Sequence, residues 1–274
     1  RPGALGDIYT DRPSPFGEFN DTCEQLVGNS HIPLALRYFG GAGKSHMDKY
    51  GTTMKDFAKI RAKASRHASK NPLALFKKEV SEEEVLNSPI MWPGVMTRLM
   101  ACPPTCGGAA AILVSEKFAK KHNIDASVKI LAQSMTTDYE STFAEKDMMQ
   151  LVGYDMTKEA ARDVYHQTGV DVQDVDVVEL HDCFAHNELI TYEALGLCEE
   201  GEAQKFVHDG NNTFGGKFVT NPSGGLLSKG HPLGATGLAQ CFELTQQLRG
   251  NAGEKQVEGA KTALQHNLGL GGAC

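Results

Sequence analysis

The apolar positions of this chain change rhythm at Gly107. Before that point they are sparse and spaced for short helices. Leu26, Val27, Leu34 and Leu36 predict one or two helices in residues 21–36, broken at Pro33. Phe57, Ala58, Ile60 and Ala64 draw a weak helical stripe through residues 55–70, which Asn71-Pro72 ends. Ser81 followed by three glutamates has the form of a helix start, with a capping hydroxyl and acid in the first turn. Residues 1–20, punctuated by proline and glycine, read as loop. After Gly107 short apolar runs alternate with helical spacing. Residues 109–114, 128–135, 175–180 and 262–265 read as strands, the first as one buried on both faces. Residues 116–122, 157–168, 184–195 and 237–248 read as helices, the last two followed closely by Gly196 and Gly250. Strands alternating with helices predict a layered α/β architecture, preceded by a polar, helical and irregular region.

Composition narrows the function classes. The chain has 274 residues, 41% hydrophobic and 22% charged, with a net charge of −7. An acidic balance disfavours nucleic acid as the main partner, because phosphate binding needs a basic face. No stretch reaches the ~18 consecutive apolar residues of a membrane span, so no transmembrane segment is expected. Seven scattered cysteines do not form a disulfide framework and point to a reducing compartment. Cys102 and Cys106 have no matching second pair, so no metal site is expected.

Two stretches invite readings that the residues weaken. Phe39-Gly40-Gly41-Ala42-Gly43-Lys44 lacks the spacing of a phosphate loop, since Tyr38 stands where a glycine is needed. A plain turn before a helix over residues 45–50 is the favoured reading. Residues 55–70 carry Lys55, Lys59, Arg61, Lys63, Arg66, His67 and Lys70. A solvated helix face is the ordinary explanation, with an anionic ligand as the alternative.

Three clusters bear chemistry. His181-Asp182-Cys183-Phe184 follows an apolar strand and opens a helix, the place where open α/β sheets keep their sites. A cysteine there can serve as acid and base or as nucleophile; the bland alternative is a buried cysteine beside a capping pair. His231 sits among Gly224, Gly225, Gly230, Gly234 and Gly237. A histidine fixed in that way can deprotonate a thiol or donate to an oxyanion. Near the end, Gln265-His266-Asn267-Leu268-Gly269 leads into further glycines that can present backbone N–H groups as an oxyanion hole, or form a tight turn.

Together HDCF (181–184), GHPLGATG (230–237) and HNLGLGG (266–272) resemble the thiolase superfamily, in particular the sterol carrier protein 2-type thiolases. HDCF is the most discriminating, since other thiolases carry an Asn-Glu-Ala-Phe-like motif there. The likeness covers most of residues 150–273 and reaches back more weakly to about residue 38. It implies an incomplete thiolase-like α-β-α fold: a helical loop domain in residues 1–105, the end of the first α/β half in 106–124, and most of the second half in 125–274. It also implies thiolytic cleavage of 3-oxoacyl-CoA, with coenzyme A as substrate, no resident cofactor, a homodimer, and a peroxisomal or mitochondrial location. On this likeness His231 activates the nucleophile and helps bind the thioester oxygen. Cys183 is the acid/base, His181 helps form an oxyanion site, and the Gly269 N–H lends itself to another. The departure is the nucleophilic cysteine, which the family carries in its first half. The stretch containing Cys106 holds no nucleophile in the family. The expectation is therefore a piece of an enzyme that is inactive alone. The competing readings are a catalytically dead acyl-CoA-binding or scaffold protein and another acyl-transfer enzyme such as a ketoacyl synthase.

Overall fold

The computed structural model describes residues 14–269 and 272–274. Helices Gly17–Val27 (α1) and Leu34–Tyr50 (α2) come first, and Pro33 occupies the cap before α2. Its ring presets φ and its missing N–H costs nothing at a helix start. Thr53 and Asp56 form a capping box that starts Met54–Ser69 (α3), and Ser81 and Glu84 form another that starts Glu82–Leu86 (α4). A short antiparallel pair, Ile90–Trp92 (β1) with Met96–Thr97 (β2), follows. Then come Glu116–His122 (α5), Ser141–Ala144 (α6), Met148–Leu151 (α7) and Tyr154–Thr168 (α8). The order closes with Val177–Glu179 (β3), Ala185–Ala194 (α9), Ala203–His208 (α10), Val219–Thr220 (β4), Thr236–Leu248 (α11) and Ala263–Gln265 (β5).

Three of these strands make the sheet that positions the site. Their order is β4-β3-β5 and both pairings are parallel, Val177 facing Val219 on one side and Ala263 on the other. All three residues of β3 are buried, as a parallel strand covered on both faces must be. Helix α11 packs on β3 and β5, while α2, α3 and α8 all pack on α9. Every residue of α9 is buried, the mark of a helix enclosed on all sides. Three of its polar side chains are paired: Glu188 with Lys63, Glu193 with His46 at 3.0 Å, and His186 with the Val95 carbonyl at 2.9 Å. Among the described residues no helix is long and apolar enough to cross a membrane.

The structure corrects four expectations. Of the loop expected over residues 1–20, residues 1–13 lie outside the described residues, and residues 17–20 instead open α1. Residues 39–44 are not a turn; they lie inside α2, and Gly40, Gly41 and Gly43 face Trp92, Met148 and His186. Missing side chains there let α2 lie flush against its neighbours. Residues 55–70 are not a solvated face either, since Arg61, Lys63 and His67 are buried. Lys63 pairs with Glu188 and donates to Thr220 Oγ1 at 2.8 Å, and Arg61 donates to Ser228 Oγ at 2.7 Å. Their charges serve internal partners, so only the exposed remainder could meet an anion. Residues 109–114 and 128–135 form no strand. Ile112 and Met135 are 92% and 81% exposed, because no neighbouring strand among the described residues pairs with these runs.

A Cβ on Gly43 would collide with the His186 ring, which itself stacks 4.0 Å from Phe57. Gly43→Ala should therefore lower stability by about 1–3 kcal/mol. Gly17→Ala, with nothing near its Cβ, should leave it unchanged or slightly raised, both read by urea unfolding.

Candidate active site

The site begins where β3 ends. Leu180 donates its N–H to Asn221 Oδ1 at 2.8 Å, and the chain then presents His181, Asp182 and Cys183 before entering α9. This is the carboxyl edge of the central parallel strand. Asp182 is fully buried. Its carboxylate accepts the N–H of Leu226 at 2.7 Å and of Leu227 at 3.3 Å, both from the π-helical turn Gly225–Lys229. Gly225 has φ +59°, and any Cβ on it would collide with the Asp182 carboxylate. Glycine is thus required twice over, for its backbone and for its missing side chain. Burial, then the nearby Glu188, raises the Asp182 pKa to about 8, while the two N–H donors and Lys63 oppose the shift.

The π-helical turn delivers His231. Gly230, at φ +120°, turns the chain, and the His231 N–H donates to Thr105 Oγ1 at 2.6 Å. His231 Nδ1 pairs with Thr236 Oγ1 at 2.7 Å, and the Thr236 hydroxyl donates to the Pro232 carbonyl at 3.2 Å. The His231 ring stands edge-on to His181, with centroids 4.9 Å apart and planes at 90°.

His181 is held from two sides. Its Nδ1 meets Asn267 Oδ1 at 2.7 Å, and its backbone N–H points to His266 Nδ1 at 3.4 Å. His266 Nε2 in turn meets Thr157 Oγ1 at 3.2 Å. Burial favours the neutral ring in each case. It lowers the His181 pKa to about 4, with the Asn267 hydrogen bond opposing, and the His266 pKa to about 3; His231, half-buried, is lowered as well. Cys183 is buried beside Cys102, whose N–H donates to the Cys183 carbonyl at 2.9 Å. Burial first, then Cys102 and Asp182, pushes its thiol well above the ordinary range. Such a thiol stays protonated at neutral pH and is suited to give up a proton only to a strong base.

His181 and His231 therefore meet at one sheet edge, and Cys183 lies two residues beyond His181 on the same segment. Gly269 does not offer the expected free donor: its N–H is engaged by the Ala273 carbonyl at 2.8 Å. Cys106 is exposed, one residue beyond the Thr105 contact with His231. Sequence reasoning passed over Thr105, Thr236 and Asn267 as partners of the two histidines. For Thr236 a signal existed, a hydroxyl five residues after the histidine at the head of a helix. Among the described residues no cluster of three or more His, Cys, Asp or Glu is arranged to hold a metal ion.

Residues 137–273 match a family model described as thiolase C-terminal domain-like. Sterol carrier protein 2 of Oryctolagus cuniculus is 55% identical over 99% of this chain and 50% of its own length. Acetyl-CoA acetyltransferase of Methanothermobacter thermautotrophicus is 38% identical over 82% of this chain and 58% of its own. The chain thus spans about half the length of the curated relatives it matches. Among solved structures, the Ltp2-ChsH2(DUF35) aldolase has a similar fold, with a TM-score of 0.70 at 21% identity over 90% of this chain and 62% of that one.

A histidine whose folded pKa is depressed holds stability above its unfolded value, and loses it as pH falls toward the folded value. His181 and His266 shift from 6.5 to about 4 and about 3. Stability should therefore fall as pH drops from about 6.5 to about 4, His181 contributing on the order of 3 kcal/mol. Urea midpoints measured across that range check this; His266→Gln should flatten the slope.

Proposed function

Since this chain belongs to the thiolase family, among relatives of the sterol carrier protein 2 type, we propose that it carries the acid/base side of an acyl-transfer site acting on 3-oxoacyl-CoA. The observation that carries the reading is the edge-on meeting of His181 and His231 at the end of β3, in the segment that also holds the buried Cys183. The nucleophilic thiol comes from a complementary α/β half, and His231 Nε2 takes its proton. The thiolate attacks the 3-keto carbon, and the bond between C2 and C3 breaks, leaving an acyl group on sulfur. The electron pair stays on C2 of the departing acyl-CoA, and Cys183 protonates it. Coenzyme A, as substrate, then takes the acyl group from sulfur and restores the thiol.

In this reading His181 steadies the oxygen of the departing thioester enolate. That role needs a proton on Nε2. In the structure Asn267 Oδ1 faces Nδ1 at 2.7 Å, so this role calls for the carboxamide to turn over and set its NH2 against Nδ1, so that Nδ1 accepts and Nε2 donates. Residues 1–105 serve as the helical loop region that receives the acyl-CoA, and residues 106–124 and 125–274 belong to the two α/β halves. A homodimer, and a peroxisomal or mitochondrial location, belong to the same proposal by likeness to the sterol carrier protein 2 relatives.

The test is a chimera in which this chain replaces the matched half of the rabbit relative. Thiolysis of acetoacetyl-CoA and of a methyl-branched 3-oxoacyl-CoA is then followed. The chimera should turn over substrate, the 274-residue chain alone should not, and Cys183→Ala should lower kcat by at least about 10²-fold while acyl-CoA binding persists. Undiminished turnover in Cys183→Ala would remove the acid/base role. A folded chimera that binds acyl-CoA without turnover would favour a binding or scaffold protein.

A further inference from the structure

The two histidines at the sheet edge use different partners, and the difference bears on what each ring can do. Asn267 presents an amide to His181, and an amide offers either an acceptor or a donor by turning over. Thr236 presents a hydroxyl to His231, with one proton to give and lone pairs to offer. Which of these faces Nδ1 is set by where the hydroxyl proton goes. The Pro232 carbonyl lies 3.2 Å from Thr236 Oγ1 and is fixed within the same turn, where it also receives the Ala235 N–H at 3.0 Å. Thr236 itself is buried at the head of α11, so no solvent competes for its hydroxyl.

We propose that Thr236 is a positioning residue that holds His231 in its Nδ1–H form, leaving Nε2 as the basic nitrogen. The hydroxyl donates a hydrogen bond to the Pro232 carbonyl and accepts one from Nδ1–H. An unrestrained neutral histidine favours the opposite form, with the proton on Nε2, so the device reverses an intrinsic preference. It also explains why two threonines converge on one histidine. Thr105 Oγ1 takes the backbone N–H at 2.6 Å and sets where the residue sits, and Thr236 sets which nitrogen is bare. The value of the arrangement for turnover rests on the reading of His231 as the base. The tautomer itself does not.

The experiment is nitrogen NMR of the 274-residue chain labelled at its histidine ring nitrogens, at a pH where the ring is neutral. The His231 signals are assigned by their loss in His231→Gln. The wild-type ring should show a protonated Nδ1 and a bare Nε2. Thr236→Val, nearly the same shape without the hydroxyl, should shift the population toward Nε2–H, and Thr236→Ser should restore the wild-type pattern. A protonated Nε2 in the wild-type chain, or an unchanged tautomer in Thr236→Val, overturns the proposal. A loss of dispersed signals throughout the Thr236→Val spectrum would mark misfolding; the wild-type and Thr236→Ser spectra then decide the matter alone.

In the chimera Thr236→Val should lower kcat on the order of 10²-fold, by analogy with the cost of losing a positioned base, with KM little changed and Thr236→Ser recovering most of the rate. The expected tautomers together with an inactive chimera would contradict the acyl-transfer reading and leave the role of Thr236 standing.

Discussion

A buried carboxylate holds the two chemistry-bearing stretches together. Asp182 belongs to the segment that leaves β3, and the N–H groups it accepts belong to the turn that delivers His231. Those N–H groups lie at the start of a π-helical turn, so they have no partner earlier in that turn and are free to point at carboxyl oxygens. Burying a carboxyl is costly without such donors. The rise of its pKa to about 8 reflects burial that two hydrogen bonds only partly offset. Removing the carboxylate would leave two buried N–H groups unpaired, and a Cβ on Gly225 would push the partners apart. His181 and His231 are neighbours because this clasp closes.

Behind the clasp lies α9, and most of the remaining structure encloses it. Glu188, Glu193 and His186 find partners on three different elements: Lys63 on α3, His46 on α2, and the Val95 carbonyl beside β2. Removing Lys63 from the buried pair with Glu188 is strongly destabilising, because a lone charge is left inside. The pairs therefore fix where α2 and α3 sit, and with them the floor of the site. Phe184, the residue after Cys183, stacks on Phe39 of α2 at 5.0 Å. The helical region that precedes the sheet is in this way a wall of the candidate site.

Much of the site was legible because glycine, histidine and cysteine mark it densely. HDCF at a strand end and a histidine ringed by glycines are uncommon outside functional sites, and the structure brings them to one edge. What sequence could not supply were the partners. Asn267 is 86 residues from His181, and Thr105 is 126 from His231; no local rule links them. Residues 39–44 misled because glycine serves a turn and a close helix contact equally well, and only the presence of Trp92, Met148 and His186 decides. The basic run of α3 misled for a related reason: whether Lys63 faces water or Glu188 is a property of tertiary packing. Residues 109–114 and 128–135 have the composition of strands, but a strand exists only with a neighbour to pair with.

The central claim is that Cys183 exchanges a proton with the carbon next to a thioester while the site steadies the enolate. Deuterium incorporation into the methyl group of acetyl-CoA, in heavy water with the chimera described above, measures that step apart from carbon–carbon bond cleavage. The account predicts exchange well above the uncatalysed rate, lost in Cys183→Ala. Exchange that persists unchanged in Cys183→Ala would contradict it.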